Sequence, residues 1–585
     1  MKIEIIDTVL VRACGSEASL YDALALRVLG RESSLSKQAD FACRRAMANW
    51  QARERYQHPV SLEDIYSVAD FKAETAMPNA DIMQQELQLE AEMLVGVESM
   101  RQRVKAARAK AGQIYFTSDS YLPASLFIEV LTREGFYEPG DKVVVRGEVE
   151  QSAEKPLRVH HKRTAYQKEI ATLPDHNQLQ RPSVLGSISR AVLLSNGNTP
   201  ANLFAADIIA PTIVTVVYEL MERAHKRGIK KLFFLARDAK LMYETAKVFH
   251  PLFPEIEIEY AYLSRTSLYF PSIPEVNATW LNYIYEATKD LGYSINDFVK
   301  KYLPGVQLQK EFADFEALCN DKESYELLRN YHTEQRTLML EYFTRIGLAS
   351  QTEEVGVVDY NTSGKTLDCI NRILKQSMNK PCSGLFYVIT ANRIRCNEIA
   401  NIDTVLHYER IDSLYMRVMA LTNIFEDYCL LTNHGRTTHY NYNARGEVIP
   451  VYENEAEKIK QRNNYLFSLH TRICQQWAKL FMQSGTYTFN DYNITCTQWL
   501  LVKFGQNPRR EYLQCLIGST YDVAGMENAY IIKRLTVKDL FQIINTRDVE
   551  HGDYGWPRGS LVATFGLLGR LMINIAMYTK KLLKF

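Results

Sequence analysis

Short apolar runs that stop abruptly on a charged or hydroxyl residue are the feature that most restricts how this chain can fold. They include Gln113-IYFTS ending at Ser118, Lys142-VVVRG, Lys231-LFFLARD ending at Arg237-Asp238, Val355-GVVDY with Asp359, and Gly384-LFYVIT. Each is too short for a helix and apolar on both faces, as a strand inside a parallel sheet must be. Between them lie helical stretches such as QADFACRRAMANWQARERY and AKLMYETAKVF. Strands alternating with helices predict an α/β fold with a parallel sheet. In such sheets the polar residues at the C-terminal strand ends are where loops and helix N-termini converge on a ligand.

The N-terminal block follows this pattern with one interruption. A β-rich opening, Lys2 to Arg12, gives way to a helical stretch over about residues 13–111, and only then do the next strands follow. Strand, large helical insert, strand, helix, strand predicts an α/β domain over 1–190 with a helical cap let in after its first strand. The polar stretch 151–198 reads as the end of that domain and a linker. A second Rossmann-like α/β domain is expected over 195–440, opened by an apolar helical run from Leu203 that Gly228 closes. A mainly helical region fills 441–585.

Charge decides against one class of partner. There are 69 Lys and Arg against 68 Asp and Glu, a formal net charge of +1. No global field holds a polyanion, so nucleic acid is not an expected partner. The 10 cysteines are scattered without a C-x-x-C pair. They read as buried thiols of a reducing cytoplasm, with no zinc framework. Glu4 and Asp7 interrupt the apolar run at the N-terminus, so no signal peptide is expected there.

At the strand ends of the first domain stand Glu4, then Ser118 with Asp119, and Lys155 after the third strand. A carboxylate to attack phosphorus, with a hydroxyl and an ammonium to bind its oxygens, is the chemistry of a phosphate site. Three stretches carry a resemblance. Glu4-Ile-Ile-Asp7-Thr8-Val9-Leu10, the segment IYFTSDSYLP, and RRAMANWQARERYQHPVSLEDIY between them resemble the haloacid dehalogenase (HAD) superfamily. More narrowly, they resemble the two-domain hydrolase-like proteins of bacterial surface-polysaccharide gene clusters. The likeness runs on through FFLARD, YLSR and VVDY to about residue 400. It implies a phosphatase-type site at Glu4, Ser118 and Lys155, Mg²⁺ held by Glu4 and Asp175, and partners among polysaccharide-assembly enzymes.

The chain departs from that pattern at its centre. Glu4 stands where the family has its nucleophilic Asp, Ile6 where it has an acid/base Asp, and Asp175 is the one echo of the final acidic motif. An extra methylene displaces the attacking oxygen by about 1 Å, enough to cost on the order of 100-fold. Mg²⁺ requires oxygen donors in an octahedral array, and carboxylates are missing from this one. Two readings follow. The domain is a phosphatase built on Glu4 and Lys155, or it is degenerate and Ser118-Asp119 merely caps the next helix.

The second domain's strand ends are richer in cations. They present Arg237-Asp238, Ser264-Arg265, and a loop from Asp359 through Ser363, Gly364 and Lys365 to Thr366. Two guanidiniums suit a bidentate grip on phosphate or carboxylate. Hydroxyls and Lys365 at a helix N-terminus form an anion site, although the loop lacks the first glycine of a P-loop. Taken singly, these are a strand–helix junction, a surface turn and a helix cap. Taken together they predict one anion site, and a transferase acting on a phosphorylated or nucleotide-linked sugar. Asp238 or Asp359 would be its base or metal ligand. A non-catalytic partner that binds such a ligand is the third reading.

Near the C-terminus, Leu561 to Tyr578 approaches membrane-span length but is broken by Arg570 and Asn574 and followed by Lys580 and Lys581. It reads either as a buried helix with a basic end or as a peripheral membrane contact, since a span would bury Arg570. The expected location is the cytoplasm, free or peripheral to the inner membrane.

Overall fold

The computed structural model describes residues 1–146, 155–173, 182–286, 293–350, 352–362, 364–389, 401–406, 428–523, 526–539, 541 and 556–582. The fold is mixed α/β with parallel sheets. It forms two compact units, Met1–Thr215 with Arg472–Leu501, and Val216–Thr471 with Val502–Phe585. The region 441–585 is mainly helical but is divided between these units.

In the first unit, β1 (Lys2–Glu4), β4 (Tyr115–Ser118) and β5 (Lys142–Val145) form a parallel sheet in the order β1-β4-β5. Ile3 pairs with Phe116, and Phe116 with Val143. On the far side of β1, Leu157 adds a single parallel bridge to Ile3. Between β1 and β4 the chain forms an antiparallel ribbon, β2 (Leu10–Arg12) with β3 (Leu94–Gly96). The helices Glu17–Leu29, Leu35–Arg55, Leu62–Ser67 and Asn79–Met93 enter and leave through that ribbon. Ser16, Ser34 and Ser61 cap the first three of them, which fixes where each helix starts.

The apolar core of this insertion encloses a buried ion pair. Arg45 and Glu86 are wholly buried and joined by two hydrogen bonds of 2.6 and 2.5 Å, and Tyr66 donates a third to Glu86 at 2.7 Å. The Arg45 guanidinium lies over the rings of Tyr21, Tyr66 and Tyr121 at 4.7, 5.2 and 5.5 Å. Each charge is tolerable only because the other is there. Farther along, the stretch expected to be a linker contains two helices, Ala165–Ala171 and Pro182–Asn196. Buried Asp207 accepts hydrogen bonds from Thr164 and Gln167 at the first of these.

The second unit holds five parallel strands: β6 (Lys231–Leu235), β7 (Glu257–Ala261), β8 (Val355–Thr362), β9 (Ser383–Ile389) and β10 (Ile402–Leu406). Their order is β10-β9-β8-β6-β7. Phe233, Phe234 and Leu235 are buried, as a central strand covered on both faces requires. From β6 the chain steps outward to β7, then returns across β6 to lay down β8, β9 and β10. The direction of winding reverses between β6 and β8, and the helices Lys240–Phe249 and Lys365–Gln376 leave from that point. An open α/β sheet leaves its ligand crevice at such a reversal.

Among the described residues one helical stretch, Pro200–Lys226, is apolar and long enough to cross a membrane, and its most apolar 18-residue window is buried.

Candidate functional site

The reversal between β6 and β8 gathers the second unit's charged strand ends. Phe234 pairs with Val358, so the chain leaves β6 level with Asp359 and turns through Arg237-Asp238 into its helix. Burial pushes the Asp238 carboxyl above the usual aspartate range, while Arg237, Arg265 and Arg436 each pull it back down. Three guanidiniums thus act on one carboxylate, and Arg436 also lies 3.9 Å from Glu453. Arg265 is the first residue of the helix Arg265–Ser272, and it is exposed. Arg436 reaches the group from the segment before the strand Thr437–Tyr442.

The other predicted residues of this unit divide by role. Ser264 is spent on architecture: its hydroxyl accepts from the Ser267 amide at 3.2 Å and donates to the Thr437 carbonyl at 2.5 Å. That second bond anchors the segment carrying Arg436 beside Arg265. Asp359 is half-buried near the end of β8, one oxygen accepting the Tyr360 amide at 2.9 Å. Gly364 takes φ +82°, a left-handed conformation that glycine adopts without strain, and so starts the helix of Lys365 and Thr366. Ser363 lies outside the described residues.

An aromatic wall flanks the arginines. Tyr260 donates to His434 Nε2 at 2.9 Å, while His434 Nδ1 donates to the Gly435 carbonyl at 2.8 Å. Since a carbonyl can only accept, the proton sits on Nδ1. Burial depresses the imidazole pKa to about 4, so it is neutral near pH 7. Lys240 lies 4.2 Å from the Tyr260 ring centroid, which places a fourth cation beside the group.

The first unit's strand ends are arranged differently. Glu4 closes β1 with Arg158 Nη2 at 3.5 Å from its carboxylate, and the same nitrogen is 3.9 Å from Asp119. Burial raises the Glu4 carboxyl, Arg158 lowers it and Asp119 raises it again. Lys155 does not reach this group. The bridge pairs Leu157 with Ile3, so Lys155 is level with the beginning of β1 and Arg158 with its end. Ser118 also stands apart, because Glu4 pairs with Thr117 and the pleat sends the next side chain to the opposite face. Its hydroxyl accepts the Ser120 amide at 3.3 Å.

Where Glu4 and Asp119 converge, their shared partner is the Arg158 guanidinium. Asp175 lies outside the described residues. Among those residues no cluster of three or more His, Cys, Asp or Glu side chains has metal-binding proximity. Close by, a cleft of about 250 Å³ opens between the insertion and the ends of β4 and β5, lined by Asn49, Arg53, His58, Asp119, Tyr121 and Arg146.

The sequence pointed to Arg237, Asp238 and Arg265, but not to Arg436 or Arg158. Arg158 was within reach, three residues past Lys155 in the same basic stretch. Nothing local marks Arg436. No protein-family model matches this chain, and no curated protein matches it.

Proposed function

We propose that the second unit is the working half of a transferase, which takes a phosphorylated or nucleotide-linked sugar at the β6/β8 crevice. The first unit, in this reading, is a HAD-like domain whose phosphatase-type site is degenerate. The observation that carries it is the set of arginines around Asp238. Arg237, Arg265 and Arg436 all act on Asp238, so cations suited to phosphoryl oxygens converge at one strand end. In the first unit Glu4 and Asp119 converge on the Arg158 guanidinium.

Arg237, Arg265 and Arg436 grip the phosphoryl oxygens, with Asp238 as the positioning residue that holds their guanidiniums in place. Asp359 takes the proton from an acceptor hydroxyl as that oxygen bonds to the sugar's anomeric carbon. The bond from that carbon to the phosphate oxygen breaks, and the arginines stabilise the charge collecting on the leaving group. The likeness to polysaccharide-cluster proteins supports a role in surface-polysaccharide synthesis, where sugars are transferred from nucleotide carriers.

Calorimetric titration with a panel of nucleoside-diphosphate sugars tests this. Saturable binding should weaken about 30- to 100-fold in Arg265→Ala and be unchanged in Glu4→Ala. Asp359→Asn should bind normally and lose turnover. Phosphate release from sugar phosphates that disappears with Glu4→Ala would return the chemistry to the first unit.

A further inference from the structure

The last helix of the chain is inside out. Leu567–Leu582 follows the helix Pro557–Phe565 after a break at Gly566. A surface helix ordinarily turns its apolar side chains to the core. Here the polar ones face inward: Arg570 donates to Asn507 at 2.9 Å, and the Asn574 side chain accepts from Asn507 at 3.2 Å. Leu567, Leu568, Leu571 and Ile575 are 80, 58, 53 and 56% exposed. Their spacing of i, i+1, i+4 and i+8 puts them on one face. The helix cannot readily roll to hide them. Gly569 packs so tightly that a Cβ there would stand 2.5 Å from the Leu561 carbonyl oxygen, and Ile573 is buried.

Charge identifies what covers this face. From Tyr554 to Phe585 the sequence holds Arg558, Arg570, Lys580, Lys581 and Lys584 and no Asp or Glu. A second copy docked on the same face would bring like charges together. An anionic lipid surface accepts both the leucines and the lysines. The helix has 16 residues, about 24 Å of length, against roughly 30 Å of hydrocarbon. It therefore suits lying in the interface and does not suit spanning it. We infer that the outward face of Leu567–Leu582 seats the protein on an anionic membrane surface.

The test is co-sedimentation of the full chain with phosphatidylcholine vesicles, with and without phosphatidylglycerol. Binding is expected only to the anionic vesicles and should fall with added salt. The exposed-site double variant Leu571→Glu/Ile575→Glu should reduce it about 100-fold or more while melting like the parent. Each of Lys580→Gln, Lys581→Gln and Lys584→Gln should reduce it roughly fivefold. A folded parent that ignores anionic vesicles overturns the inference, as does binding undiminished in the double variant. So does a dimer that the double variant dissolves in the absence of any vesicle binding.

Discussion

The two parallel sheets gather different sets of charges at their strand ends. At the end of β1, Glu4 and Asp119 share Arg158; at the end of β6, Asp238 is shared by three arginines. The strand-end position is equivalent, and a conventional reading of the topology would assign a ligand to both. The ratio of charges separates them. At β1 two carboxylates converge on one guanidinium, whereas at β6 three guanidiniums act on one carboxylate, which makes the second strand end the better place for an anion. Fold marks where a site can be, and the charge balance decides what it can hold.

Several experiments would break or sharpen that contrast. The largest effect is expected in the first unit, if its charges are architectural. Glu86→Ala strands the buried Arg45 guanidinium and should cost about 3–5 kcal/mol, measured by urea denaturation. A loss under about 1 kcal/mol would mean that water reaches the pair.

The second unit should be the acid-sensitive one. His434 and His470 are both held near pKa 4 by burial, against an ordinary 6.5. Between those values the unfolded chain takes up protons that the folded state refuses, so stability falls as pH drops from about 6.5 to 4. Each histidine should account for about 3 kcal/mol of that fall. Unfolding free energies across the range, compared between the parent and His434→Gln, check it through the slope.

Ligand binding comes next. Asp238→Asn removes the charge that holds the arginines together but leaves their positive field, so a diphosphate should bind within about tenfold of the parent. Turnover should suffer more than affinity. Equal losses in both would make Asp238 a ligand-contacting residue. The smallest effect belongs to Arg158→Ala. With Arg158 exposed, the change in stability should be no more than about 1 kcal/mol, but the Glu4 carboxyl should titrate higher than in the parent by NMR. No upward movement would mean that Arg158 does not pair with Glu4 in solution.

Most strands, and much of the site, were legible as apolar runs with charged ends, because burial on both faces leaves a continuous signature. The rest hid for identifiable reasons. The helix Pro182–Asn196 was read as linker because four serines dilute its apolar periodicity, although Ser187 and Ser189 are buried in it. Ser189 accepts the Trp477 indole N–H at 3.1 Å, a contact between residues far apart in sequence. Arg436 was invisible for the same reason, since contacts distant in sequence, the Ser264–Thr437 bond among them, bring its segment to Arg265. Arg158, three residues past Lys155, is the cation beside Glu4 because a single-residue bridge sets the register there, and no periodicity extends far enough to announce it.

The ribbon of β2 and β3 has a consequence for how this molecule can change over generations. Leu10 lies opposite Gly96 and Arg12 opposite Leu94, so the helical insertion begins and ends at one doorway. To the sheet, everything beyond that doorway is a closed loop. Doubling the length of such a loop adds only about 0.6 kcal/mol of closure entropy. Mutation can therefore lengthen, trim or exchange the insertion while β1 and β4 stay in register, and the wall it contributes to the neighbouring cleft can diversify faster than the floor.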